Sequence, residues 1–163
     1  MNSKLLEEMN DQINKEIFSG YLYLSMAAHF AAANLNGFSK WMEIQAEEEL
    51  EHGLKFFEFL NDVGEKVVLK AIEQPKTNFG SPVEVFEEVL AHEKFVTSRI
   101  HMLYEMASKE NDYATQIFLQ WFINEQVEEE KNATEILEKL KFAGDSGNAI
   151  LMLDRIMGER KED

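Results

Sequence analysis

Each of four stretches of this sequence repeats apolar residues at alternating three- and four-residue steps, and each repeat is broken by side chains that bear metal-type ligand atoms. In Met9, Ile13, Glu16, Gly20, Tyr23, Ala27, Phe30 the intruder is Glu16; in Phe86, Val89, Glu93, Val96, Ile100, Leu103, Ala107 it is Glu93. The other two read Met42, Gln45, Glu49, His52, Phe56, Phe59, Val63 and Phe122, Gln126, Glu129, Ala133, Ile136, Leu140. The spacing is regular across the chain. Glu16 to Glu49 is 33 residues, Glu93 to Gln126 is 33 again, and His52 or Glu129 follows three residues after each second member. The result is E-x32-E-x2-H and then E-x32-Q-x2-E, offset by 77 residues, a pseudo-repeat of two halves. Positions i and i+3 share a helix face, so Glu49 with His52, and Gln126 with Glu129, point the same way.

A single glutamate in an apolar seam usually reaches water at a boundary, and a single histidine there is more often a hydrogen-bonded core residue. The set changes that balance. Four carboxylates converging in a low-dielectric core each cost several kcal/mol unless they are neutralised. Either several are protonated or cations hold them. Oxygen-rich ligands with one imidazole suit Fe(II), Mn(II) or Zn(II). Four glutamates and a histidine are the set that builds a carboxylate-bridged metal pair inside a helix bundle.

The elements that must position these residues are helical. The periodicity predicts a first helix from Ser3 to Ala33, a turn at Asn34–Gly37, and a second helix from Phe38 to Val63 closed by Gly64. Both prolines fall in the segment 65–82, about 17 residues without helical period. A capping box with a favoured proline, Ser81, Pro82 and Glu84, starts the third helix, which runs to about Glu110. Asn111 or Asp112 caps a fourth that reaches Phe142 before Gly144, and a short fifth spans Ser146 to Met157. Short turns make the first and second helices antiparallel, and likewise the third and fourth. Helices of roughly 40 Å can be crossed by about 17 extended residues. The expectation is an all-α, single-domain chain over residues 1–163: a four-helix bundle with one long crossover between helices two and three plus a short C-terminal fifth helix. The apolar residues of that fifth helix, Ile150, Leu151, Leu153, Ile156 and Met157, need a partner, either the bundle end or a neighbouring subunit.

Composition narrows the classes further. The chain has 163 residues and a net charge of −15, with 31 acids against 16 bases, so phosphate backbones are repelled and nucleic acid is not an expected partner. Without cysteine there is no zinc ribbon, no rubredoxin-type iron site and no thiol nucleophile. The opening MNSKLLEEMN does not read as a signal peptide, and the apolar stretch from Tyr21 to Leu35 is too short and too interrupted to span a bilayer, so a cytoplasmic protein without a membrane partner is expected. The histidines at 29, 92 and 101 lack partners at ligand spacing and read as solvated or hydrogen-bonded.

Over essentially its whole length the chain resembles the bacterial and archaeal non-haem ferritins, through NDQINKEIFSGYLYLSM, WMEIQAEEELEHGLKF, AHEKFVTSRI and FLQWFINEQVEEE. The resemblance implies an iron-storage ferroxidase that oxidises Fe(II) with O2 or hydrogen peroxide and keeps Fe(III) as mineral inside a homo-oligomeric shell of 24 subunits. It implies that Glu16, Glu49 and His52 hold the first iron, and that Glu93 and Glu129 complete the second, with Glu49 bridging. Gln126 matches the glutamine beside the second iron. Glu48, Glu125 and Glu128 match an additional, third iron site that also borrows Glu129, and Tyr23 and Trp121 match aromatic side chains near the pair. Bacterioferritin and the di-iron oxygenases carry E-x2-H twice, whereas the second copy here is Gln126-x2-Glu129. The haem methionine of bacterioferritin follows the bridging glutamate directly; Leu50 stands there, so no haem is expected. The alternative is a non-catalytic metal-binding or DNA-protecting bundle of the miniferritin type, against which the acidity, the fifth helix and the ligand set within one chain all speak.

Overall fold

A computed structural model describes residues 1–161, with no strand among them. Helix α1 is Ser3–Ala32, α2 Asn36–Asp62, α3 Pro82–Lys109, α4 Tyr113–Ala143 and α5 Gly147–Met157. The order and the crossover are those expected from the periodicity, with bounds shifted by one or two residues. Helix starts follow local chemistry. The side chains of Asn2, Ser81, Asp112 and Ser146 each accept a backbone N–H of the helix that follows, and Ser81 with Glu84 forms the reciprocal box. The ends of α1, α2 and α3 share one device. Asn34, Gly64 and Asn111 adopt φ of 59°, 77° and 56°. The next N–H then reaches back to the carbonyls of Phe30, Leu60 and Ala107.

Helix α2 lacks a side-chain cap of its own at Leu35. Its third residue, Phe38, instead donates its N–H to Asp154 Oδ1 of α5 at 2.9 Å. Gly37 permits that approach, because a Cβ there would lie 1.6 Å from the Asp154 carbonyl oxygen. The fifth helix therefore docks on the bundle end, burying Met157 and packing Ile150 and Leu153. Its opposite side, Leu151, Met152 and Ile156, stays exposed. Of the two partners foreseen for α5, the bundle end takes one face.

The crossover runs along α1 in the same direction. Asn10 brackets it by donating to the Lys66 carbonyl (3.2 Å) and accepting the Val68 N–H (2.7 Å). Asn14 does the same with the carbonyl and N–H of Lys70, both at 2.9 Å. Ser25 and His29 extend the series to the carbonyls of Lys76 (2.7 Å) and Gly80 (2.9 Å). Polar side chains on α1 thus serve a segment, residues 66–80, that has no backbone–backbone hydrogen bond among the described residues.

The core divides in two. One cluster, built on Phe30, Phe38, Phe86 and Leu140, fills the end near α5; the other, built on Leu5, Phe56, Ile100 and Phe122, fills the far end. The seams of α1 and α3 are buried as read from the sequence. Three seam positions are corrected. Phe59 is only half-buried and Val63 is exposed, so Leu60 closes the α2 seam; Leu137 is buried where Ile136 is only half-buried. In both helices the 3.6-residue period has drifted off the strict alternating pattern by the helix end.

Candidate metal centre

Between the two apolar clusters lies a layer of buried polar side chains drawn from all four long helices: Glu16, Glu49, His52, Glu93, Gln126 and Glu129. Glu16, Glu49 and His52 each present a ligand atom, and these three atoms lie within 4.8 Å of one another. A second group of ligand atoms, from His52, Glu125 and Glu129, meets the same limit. Small residues allow this convergence. Gly20 brings α1 within 2.9 Å of the Ala46 carbonyl, measured from a Cβ built on it, and Gly53 faces Ile17 and Glu16.

Amides orient the carboxylates. Gln12 donates Nε2–H to Glu16 Oε1 at 2.8 Å. Gln45 donates to Glu129 Oε2 at 2.8 Å and to Glu49 Oε1 at 3.3 Å. Gln126 donates to Glu93 Oε2 at 3.1 Å and to the Glu93 carbonyl at 3.2 Å. The Tyr23 hydroxyl donates to Glu93 Oε1. Each acid is thereby turned with at least one oxygen committed to a neutral donor. Among the described residues one oxygen is left over: Glu16 Oε2 is buried without a hydrogen-bond partner.

The electrostatics are those of an unneutralised acid cluster. Burial, then the Glu49 charge, raises the Glu16 carboxyl well above the usual range. Burial and the charges of Glu93 and Glu129 do the same to Glu49. Glu93 is raised by burial. Glu129 is pushed up to about 8 by burial and by Glu93. Burial and Glu93 also raise Tyr23, so its phenol remains a donor. An orphaned, desolvated carboxylate oxygen beside a second carboxylate and an imidazole has the donor chemistry of a divalent-cation ligand set.

The periphery is less uniform. His52 Nδ1 sits 3.4 Å from Glu49 Oε2 and Nε2 3.8 Å from Glu125 Oε1. Trp121 meets the His52 ring edge-on at 5.4 Å and carries Lys55 over its face at 4.8 Å, but 41% of it is exposed. Glu48 is half-buried, and Arg160 donates to it at 2.6 Å. Glu128 is exposed on α4. Among the other histidines, His92 bonds Ser19 Oγ at 2.7 Å and is held down to about 4 by burial.

Sequence reasoning gave no supporting role to Gln12, Gln45, Thr97 or Arg160, although Gln45 stood in the α2 seam it read. The first two had a signal. Each stands four residues before the first or second glutamate of the leading half, and they too are 33 residues apart. Thr97, one turn after Glu93, bonds the Glu93 carbonyl (3.0 Å) and Glu130 (2.7 Å). Arg160 had no signal, because its link to the bundle depends on where α5 docks.

A family model described as the ferritin-like domain matches residues 6–143. The chain belongs to the ferritin family. It is 40% identical over 163 residues to the bacterial non-heme ferritin of Staphylococcus haemolyticus, covering all of this chain and 98% of that one. It is 38% identical over 158 residues to a probable bacterial non-heme ferritin-like protein of Haemophilus influenzae, covering 97% and 96%. Among solved structures it superposes on an open-pore ferritin from Archaeoglobus fulgidus with TM-score 0.98 and 48% identity, over 99% of this chain and 98% of that chain. A closed form of that ferritin, engineered by mutagenesis, gives the same TM-score and identity, over 100% and 99%. No helix of the described residues is long and apolar enough to cross a membrane.

Proposed function

We propose that this chain is the subunit of an iron-storage ferritin whose buried carboxylate layer is a ferroxidase centre. The substrate is Fe(II), the electron acceptor is O2 or hydrogen peroxide, and the product is Fe(III) stored as mineral. Glu16, Glu49 and His52 would hold one ion, Glu93 and Glu129 a second, with Glu49 between them. The observation that carries this reading is the unpartnered Glu16 Oε2 in a layer of raised carboxylates, which cations would neutralise. Carboxylates favour Fe(III) over Fe(II), so the same ligands bias the ions toward oxidation.

This chain's own groups set the geometry. Gln12, Gln45 and Gln126 hold the acids by neutral hydrogen bonds, which turn them without cancelling the charge that draws a cation. Tyr23 keeps its proton and fixes Glu93. Glu125 and Glu129 share His52, and with Glu48 and the exposed Glu128 they would be the acids of a third iron site. The ligands gather within one chain, which favours a ferritin over a miniferritin with sites between subunits.

Assembly into a shell, of 24 copies by family resemblance, is supported by exposed apolar surface. A groove of ≈ 630 Å³ between α1 and α2, lined by Tyr21, Leu24, Leu50 and Ile72, is one such face. Anaerobic loading with Fe(II) followed by O2 tests the proposal. Wild type consumes O2 in proportion to Fe(II) and forms electron-dense cores, and Glu49→Ala and His52→Ala lose the fast phase. Unchanged kinetics in both variants would remove the assigned centre.

A further inference from the structure

Arg160 follows α5 and lies over α2. Its guanidinium rests 4.4 Å from the centre of the Trp41 ring. One nitrogen donates to Gln45 Oε1 at 2.9 Å and to the Trp41 carbonyl at 3.2 Å; the other donates to Glu48 Oε2 at 2.6 Å. Arg160 and Glu48 are each about one-fifth exposed (18% and 22%), so the pair is only partly screened by water.

Two consequences follow from the chemistry of the groups. A guanidinium only donates, so Gln45 must turn its oxygen toward Arg160 and its NH2 toward Glu49 and Glu129. Arg160 thereby selects the amide orientation that serves the buried centre. The second consequence concerns charge. Glu48 adds to the repulsion felt by Glu129, and the arginine is a cation that answers it. A metal ion using Glu48 beside Glu129 and Glu125 must displace or share that carboxylate with a cation already held by three other contacts.

We infer that Arg160 is a positioning residue that sets how many metal ions the centre holds: it fixes Gln45 for the buried pair and competes with a third metal ion for Glu48. The inference rests on the ferroxidase reading above. It ties the position of the C-terminal helix to the number of ions the centre holds, since Gly158, which caps α5, stands against Gly37 two residues before Arg160.

The test is equilibrium binding of Zn(II), which is redox-inert, to the assembled metal-free protein, with zinc located by anomalous scattering. Wild type should bind two tight ions per chain and a third weakly. Arg160→Gln should tighten the third about two- to fivefold, the scale of a partly exposed ion pair. Arg160→Lys, which restores charge without the fork, should fall between. The double variant Arg160→Gln with Glu48→Gln should lose the gain. Equal third-ion affinity in wild type and Arg160→Gln, with the tight pair intact, overturns this inference and leaves the ferroxidase reading standing. Loss of the tight pair's dependence on Glu49 would overturn the ferroxidase reading itself.

Discussion

The hydroxyl of Tyr23, on α1, donates to the carboxylate of Glu93, on α3, across the centre of the bundle. It is the only phenol in the buried polar layer among the described residues. Glu93 is otherwise held by Gln126. Tyr23→Phe leaves Oε1 without its donor and should cost about 1–2 kcal/mol of stability in the metal-free protein. With Glu93 held by Gln126 alone, Fe(II) oxidation should slow about tenfold while the fold persists. Denaturant titration and stopped-flow absorbance would show both, and a variant as fast as wild type would remove Tyr23 from the positioning set.

The buried acids predict an opposition between stability and function. Glu49 is almost wholly buried and faces the charges of Glu93 and Glu129, so in the metal-free protein it is a burden. Glu49→Gln keeps the shape and removes the charge. The metal-free variant should be more stable than wild type at pH 8 by about 1–4 kcal/mol. With Zn(II) the order should reverse, because wild type gains binding free energy that the variant cannot. Thermal melts with and without metal would decide it; a metal-free variant that melts below wild type contradicts the premise.

These acids were legible in the sequence because a charge inside a helical period is conspicuous, and because the 33-residue spacing repeats. Fold order, crossover and caps were legible for a related reason: Ser81, Pro82 and Glu84 write a helix start in local chemistry. The misses have a different origin. Leu60 for Phe59 and Val63, and Leu137 for Ile136, turn on the drift of about 20° per heptad between a straight helix and the strict alternating pattern. Arg160 and Asp154 act over 112 to 119 residues of separation, through a docking that no local pattern encodes.

Glu129 gives the pH dependence. In the metal-free fold its carboxyl is held up at about 8. In the unfolded chain it titrates near about 4.3. Between those values the folded protein keeps a proton that the unfolded chain has released. Its contribution to stability is therefore full below the lower value and is lost as pH rises through 8. Glu16, Glu49 and Glu93 shift in the same direction. The metal-free protein should lose stability from pH 5 to pH 8, and Glu129→Gln should flatten that slope. Metal binding displaces the same protons, so the Zn(II)-loaded protein should gain over the same window. Parallel slopes for wild type and Glu129→Gln, measured without metal, would show that Glu129 titrates normally.

Gly37 sets two general effects against each other. Gly37→Ala in a helix ordinarily stabilises by about 1 kcal/mol. Here the added methyl would sit 1.6 Å from the Asp154 carbonyl oxygen, a contact that only displacement of α5 can relieve. Displacement forfeits the burial of Met157 and the Asp154 cap on Phe38. Together those should cost about 2–4 kcal/mol, which outweighs the helix gain. The variant should melt lower and be cut faster than wild type near Gly144. Arg160 leaves Gln45 with the displaced helix, so the third Zn(II) ion should tighten in Gly37→Ala as it does in Arg160→Gln. A variant that melts above wild type and keeps a weak third site would show that α5 tolerates the methyl in place.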